Sequence, residues 1–308
     1  MRSFRYRDKD TLVHRLNPFS KLGWIISILI LALVLNNPLF LLLLFLSTLP
    51  FVKAARVWSE WLSFMRLALY LSAAIILINA LVSSHGTHIL FEAAFHIPLV
   101  GAPVVTLEAI IYGVTMSIRL LAIISAFAVL TLTVNPDDMM LAMIKMKLPY
   151  KSVLVTSLST RFIPTLLDDI ERITDVQRSR GLELDKGKLV RKIKSRTSIV
   201  TALLSNSLDR AVQVAEAMES RAFGTGRGRT FYRDISLSLM DVTTVIFSLL
   251  PATLGIFMGL NGYGQYQYYP TLSWINLSQQ DWLLLGLMAI LLVALLPLAN
   301  LKQRVDLD

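Results

Sequence analysis

Residues 22–52 contain no charged side chain. As a single helix this stretch would be about 46 Å long, against a hydrocarbon core of roughly 30 Å. Asn36-Asn37-Pro38 interrupts it with a strong turn signal, which predicts a hairpin of two short spans at about 19–36 and 38–53. Further apolar runs predict spans at about 66–82, 107–134, 237–260 and 282–300, six in all. The fold class expected is an all-α integral membrane protein. Composition agrees, with 55% apolar and only 17% charged residues. The chain has no cysteine, which excludes a disulfide framework, a thiol nucleophile and thiolate metal ligation.

The basic residues set the orientation. With the N-terminus in the cytoplasm and six alternating spans, the outer segments are 36–37, 83–106 and 261–281, and they hold no Lys or Arg. The inner segments hold 29 of the 30 basic residues, Arg119 inside the fourth span being the exception. This is a positive-inside pattern and predicts both termini in the cytoplasm. The net charge of +9 is then an orientation signal, and nucleic acid need not be invoked. Three regions follow: 1–134 with four spans, 135–236 as a cytoplasmic helical region, and 237–308 with two spans.

Region 135–236 carries 18 basic and 12 acidic residues, interleaved with apolar ones at helical spacing. Asn135 followed by Pro136, Asp137 and Asp138 is a helix start: a cap, Pro in the first turn, and acids at the positive end of the dipole. Its four methionines, Met139, Met140, Met143 and Met146, suit an adaptable contact or simple packing. A long amphipathic helix is predicted from about 152 to 180, with Phe162, Ile163, Leu166, Leu167, Ile170, Ile173 and Val176 as its apolar stripe. Pro164 should kink it. A basic stretch, 186–196, separates it from a second amphipathic helix over about 197–222. That helix has Leu204, Leu208, Ala211, Val212, Ala215, Met218 and Ala222 along its stripe. Both helices finish in a small–Arg–small tripeptide: Ser179-Arg180-Gly181 and Ser220-Arg221-Ala222. One such Arg is an ordinary C-terminal cap. Two of them, each flanked by small residues that let a partner come close, suggest a pair of contact points for carboxylates or carbonyls.

At this point the chain resembles a family, the transmembrane T component of energy-coupling factor (ECF) transporters, an ABC-type class of importers. The resemblance rests on Leu148-Pro149-Tyr150, Arg161-Phe162-Ile163-Pro164, Gln177-Arg178-Ser179-Arg180-Gly181, Ala217-Met218-Glu219-Ser220-Arg221-Ala222-Phe223-Gly224 and Arg229-Thr230. The opening Leu16-Asn17-Pro18-Phe19-Ser20-Lys21-Leu22 is similar to the family's N-terminal pattern. The family usually has Ala-Arg-Gly at both helix ends. Ser for Ala keeps the size, but Ala222 lacks glycine's easy access to positive φ, which predicts a turn displaced toward Phe223-Gly224.

The resemblance implies a non-catalytic subunit of a multi-pass prokaryotic cell-membrane transporter. Two ABC-type ATPase subunits would dock on Ser179, Arg180, Gly181, Ser220, Arg221 and Ala222. A small membrane-embedded S component would bind the cargo, a vitamin or a transition metal such as cobalt or nickel. ATP and Mg²⁺ would belong to the partner ATPases, leaving no cofactor in this chain. Arg161 and Pro164 carry a family motif, and Pro164 would let the first coupling helix bend. The amphipathic stripes would be the surface on which the S component sits.

Competing chemistry finds little support. Gly224-Thr225-Gly226-Arg227-Gly228-Arg229 has no Lys-Ser/Thr and follows a helix, so it is no P-loop. His85, His88 and His96 share an outer segment with Glu92, and His85 and His88 are three apart, but Gly86 between them weakens a helical ligand pair. Asp168 and Asp169 read as a solvated pair beside Arg172. Arg119, a charge deep in a span, leaves one alternative: a stand-alone permease using Arg119 and the outer histidines.

Overall fold

The structure is a computed structural model that describes residues 9, 11–83, 86–92, 104–146, 149–181, 189–224, 238–273 and 278–305. The chain packs as two units, one made of residues 1–139 with 236–308, the other of residues 140–235.

The first unit opens with a single turn, α1 (Leu12–Arg15), followed by α2 (Pro18–Val34) and α3 (Pro38–Ala54). Both of these helices begin the same way. Asn17 Oδ1 accepts from Phe19 N at 3.1 Å and Asn37 Oδ1 from Leu39 N at 3.0 Å, each with a proline in the next position. An Asn cap satisfies an orphan amide, and Pro at N1 has no amide to lose. The expected hairpin is therefore present as two helices.

A tight turn follows α3. Arg56 sits at φ +54, with Arg56 N bonding Lys53 O and Val57 N bonding Val52 O. Helix α4 (Trp58–Val82) then starts eight residues before the predicted span. Hydropathy missed its first two turns because Glu60 and Arg66 lower the apolar average. Glu60 is held there by Lys9 Nζ at 2.8 Å.

Strands β1 (Ile89–Glu92) and β2 (Val104–Thr106) pair antiparallel, an addition to the all-α expectation. Helix α5 (Leu107–Thr133) leads to α6 (Pro136–Lys145), which Asn135 Oδ1 opens by accepting from Asp137 N. After the second unit come α9 (Leu239–Leu260), α10 (Gln279–Val293) and α11 (Leu295–Val305). Among the described residues, four segments are long and apolar enough to cross a membrane: 58–82, 107–133, 239–260 and 279–300. Helices α2 and α3, at 17 residues each, are shorter.

These two short helices supply much of the core. Ile28, Leu31, Leu35, Phe40, Leu41, Leu44 and Phe51 are almost wholly buried. Helix α2 packs on α5 and α9, and α3 on α5. Small residues bring α2 and α9 together: a Cβ at Gly23 would meet Ser248, one at Gly255 would meet Leu31, and one at Gly259 would meet Val34. Close backbone approach through small residues is how helices associate where water gives no driving force. Ser27 Oγ donates to Ser248 O at 2.6 Å, and Trp24 Nε1 to Leu292 O at 3.2 Å.

The second unit contains α7 (Tyr150–Ser179) and α8 (Leu189–Ser220), which pack on each other. Helix α8 starts eight residues earlier than predicted. Much of the basic stretch is helical, as Lys and Arg are good helix formers.

Candidate functional site

The site is built on the two helix ends. Helix α7 runs through Pro164 to Ser179, with Arg180 as its C-cap at φ −80 and Gly181 at φ +85. Gly181 N donates back to Arg178 O at 2.9 Å. Open space surrounds Gly181: a Cβ there would meet nothing within 4 Å.

The second end repeats the geometry with a different residue. Ala222 adopts φ +54; its N–H bonds Glu219 O at 2.8 Å, and Phe223 N bonds Met218 O at 2.9 Å. These two bonds are the paired closure of a Schellman cap. Hence the turn is not displaced. Ala222 takes the left-handed conformation that the sequence made improbable, and the two capping bonds offset a strain of about 1–2 kcal/mol. In both tripeptides the serine turns back on its own helix, Ser179 Oγ onto Asp175 O and Ser220 Oγ onto Ala217 O, each at 3.0 Å. Arg180 and Arg221 are exposed. Each is thus a long cation at the tip of a stiff helix, flanked by residues too small to obstruct a partner.

The two helices run antiparallel. Tyr150 at the start of α7 lies against Phe223 just beyond α8, with ring centroids 6.3 Å apart. Farther along, Arg210 Nη2 donates to Asp169 Oδ2 at 2.8 Å. This corrects the reading of Asp169 as a solvated partner of Arg172: its side chain is only 13% exposed and it bonds across the helix pair. One sequence could not reveal this, because the partner is 41 residues away.

The apolar stripes also resolve into two faces. On α7, Phe162, Leu166 and Ile173 are half-buried, while Ile163, Leu167, Ile170 and Val176 are exposed. On α8, Leu203, Val214 and Met218 are half-buried, while Val200, Leu204, Leu208 and Val212 form an exposed ridge at four-residue spacing. The stripe read from the sequence on α8 therefore falls mostly on the exposed face. Arg161 and Pro164 are exposed as well. Of the methionines of α6, Met140 is buried and Met146 is exposed.

Arg119 is occupied structurally. Its Nη2 donates to Leu35 O at 3.0 Å and to Asn36 Oδ1 at 2.7 Å, closing the C-terminal end of α2. Asn36 N and Asn37 N bond Gly264 O, and Tyr268 Oη donates to Asn36 O at 2.6 Å. Burial pushes the Tyr268 phenol above its ordinary pKa, which keeps it a donor. Lys21 does the same service at the other end, donating to His14 O at 3.0 Å and Thr133 O at 2.8 Å. The sequence signal for Lys21 was a lysine just inside an apolar helix, where a charge needs partners.

His85 and His96 lie outside the described residues. His88 Nδ1 lies 2.7 Å from Glu108 Oε1, and His88 N and Thr87 Oγ1 also donate to that fully buried carboxylate. Among the described residues no group of three His, Cys, Asp or Glu could hold a metal ion.

The family model described as CbiQ, a cobalt transport protein, matches residues 9–232. The energy-coupling factor transporter transmembrane protein EcfT of Streptococcus equi is 31% identical over 266 residues, 82% of this chain and 94% of the relative. EcfT of Lactococcus lactis is 32% identical over 259 residues, covering 80% and 94%. EcfT of Bacillus subtilis is 28% identical over 263 residues, covering 82% and 96%.

Proposed function

The chain belongs to the cobalt transport protein (CbiQ) family, as a multi-pass bacterial membrane protein and transmembrane component of an energy-coupling factor transporter, and from that premise we propose how it couples. Arg180 and Arg221 are the anchors for two ATP-binding-cassette subunits, one on each. ATP binding and hydrolysis in those subunits moves α7 and α8. The exposed apolar ridges carry the motion to a small membrane-embedded S component, which releases a vitamin or transition-metal ion inside the cell. The chain itself is non-catalytic. ATP and Mg²⁺ act in the partners, and both termini and residues 135–236 face the cytoplasm.

One observation carries this reading. Two long antiparallel helices end in the same construction: a serine folded back, an exposed arginine, and a residue at positive φ. A lone cap arginine would need no such duplicate. Exposed ridges such as Leu204, Leu208 and Val212 add a surface of the kind that protein partners cover. By contrast, the two hydrogen bonds of Arg119 close a helix end, so its charge calls for no permeating substrate.

The test is purification of the tagged protein from native membranes in mild detergent, followed by mass spectrometry. Two ATP-binding-cassette chains and one small, very hydrophobic protein are the expected company. Recovery of the protein alone, even after crosslinking, would remove the basis of the proposal.

A further inference from the structure

The Asp169–Arg210 pair stands at a symmetric point. Asp169 is 11 residues before Arg180, and Arg210 is 11 residues before Arg221. Eleven residues are about three helical turns and about 16 Å of rise, so each arginine lies on nearly the same helix face as its member of the pair. The helices are antiparallel, as Tyr150 beside Phe223 establishes independently. The two arms therefore extend in opposite directions from the ion pair, equal in length, each with an arginine at its tip.

We infer that the Asp169–Arg210 ion pair is the positioning pivot of the coupling helices, fixing where α7 and α8 cross so that Arg180 and Arg221 stand at equal reach. The inference rests on the proposed docking of two ATPase subunits at these arginines. A pair of like subunits related by a two-fold axis offers two equivalent grooves, and equal arms are what such a partner requires. The half-buried apolar side chains Phe162, Leu166 and Ile173 on α7 and Leu203 and Val214 on α8 are held by a non-directional force that tolerates sliding. A hydrogen-bonded ion pair at 2.8 Å, with Asp169 13% and Arg210 31% exposed, is directional and selects one register. Slippage of either helix by one turn would lengthen one arm against the other by about 5 Å.

The absence of cysteine allows a direct test. Exposed Asp175 and Glu216 each lie six residues beyond their member of the pair, and both are changed to Cys and spin-labelled in the full complex with its copurifying subunits. Pulsed EPR should give one narrow distance. Arg210→Ala should broaden it at least about two-fold and cut ATPase recovery about 10²-fold, the scale at which simultaneous engagement of two sites is lost. The exchanged pair, Asp169→Arg with Arg210→Asp, should restore both. An unchanged distance in Arg210→Ala overturns the pivot, as does unchanged ATPase recovery. Failure of the exchange to restore a protein that still runs as a single species on gel filtration also overturns it, since packing alone would then explain the effect. Arg180→Glu in the same background separates the two ideas: full ATPase retention there sinks the docking proposal, whatever the distances show.

Discussion

Lys21 and Arg119 each close the C-terminal end of the other's helix. Lys21, near the start of α2, donates to Thr133 O at the end of α5, and Arg119, within α5, donates to Leu35 O at the end of α2. The two contacts are 14 residues apart on both helices, about 21 Å, as an antiparallel pair in register demands. The last carbonyls of a helix have no intrahelical donor, and Leu35 and Thr133 are too buried for water to replace it. Two cations supply the donors and compensate the negative ends of the dipoles. This lets a helix as short as α2 end inside the protein.

The first prediction concerns this reciprocal arrangement. Lys21→Met and Arg119→Met should each destabilise the protein by about 1–3 kcal/mol, the cost of leaving buried carbonyls unmet. Thermal melting of the detergent-solubilised protein reads the loss. An Arg119→Met protein with an unchanged melting point and abolished uptake would point instead to a substrate-binding arginine.

Ala222 sits at φ +54 and Gly181 at φ +85. Ala222→Gly should therefore stabilise the end of α8 by about 1 kcal/mol, and Gly181→Ala should cost the end of α7 a similar amount. Hydrogen exchange at the Ala222 and Phe223 amides should slow in the first variant. Faster exchange there would mean that the cap is not the left-handed turn described.

Reversal of charge at an anchor tests the coupling role. Arg180→Glu or Arg221→Glu should weaken ATPase attachment by about 2–4 kcal/mol, as for the loss of a desolvated anchor at an interface. The variants should remain folded in the membrane and fail to link hydrolysis to uptake. Normal transport by both would exclude the assignment.

Gly86 is confined by its neighbours: a Cβ there would meet Glu108 Oε2 and the side chain of Thr106. Glu108 cannot easily move, since His88 and Thr87 hold it. Gly86→Ala should cost about 1–3 kcal/mol through overpacking. The cost should shrink in a Glu108→Ala background, and a double-mutant cycle on melting curves measures the difference. A purely additive pair would show that the two residues do not meet.

Much of the molecule was legible in its sequence. Charge-free runs and turn signals such as Asn36-Asn37-Pro38 gave the membrane helices, because a bilayer penalises unpaired backbone and charge so heavily that few arrangements survive. The two arginine tripeptides were visible as well, since helix ends are local events written in consecutive residues. Boundaries failed where local averages mislead. Glu60 and Arg66 hid the first turns of α4, and the basic stretch hid the first turns of α8.

The sequence by itself determined which segments are helical, which are apolar enough for a membrane, and where two arginines end two helices. Each of these depends on residues within a few turns of one another. Only the tertiary structure decided that Ala222 would accept a left-handed turn, that Asp169 would bond Arg210, and that Lys21 and Arg119 would cap each other's helices. The physical reason is common to all three. A strained dihedral or a buried charge is tolerated only when specific partners offset its cost. For Asp169, Lys21 and Arg119 those partners include groups tens of residues away, where periodicity and propensity carry no information. For Ala222 they are adjacent carbonyls whose geometry only the folded helix end creates.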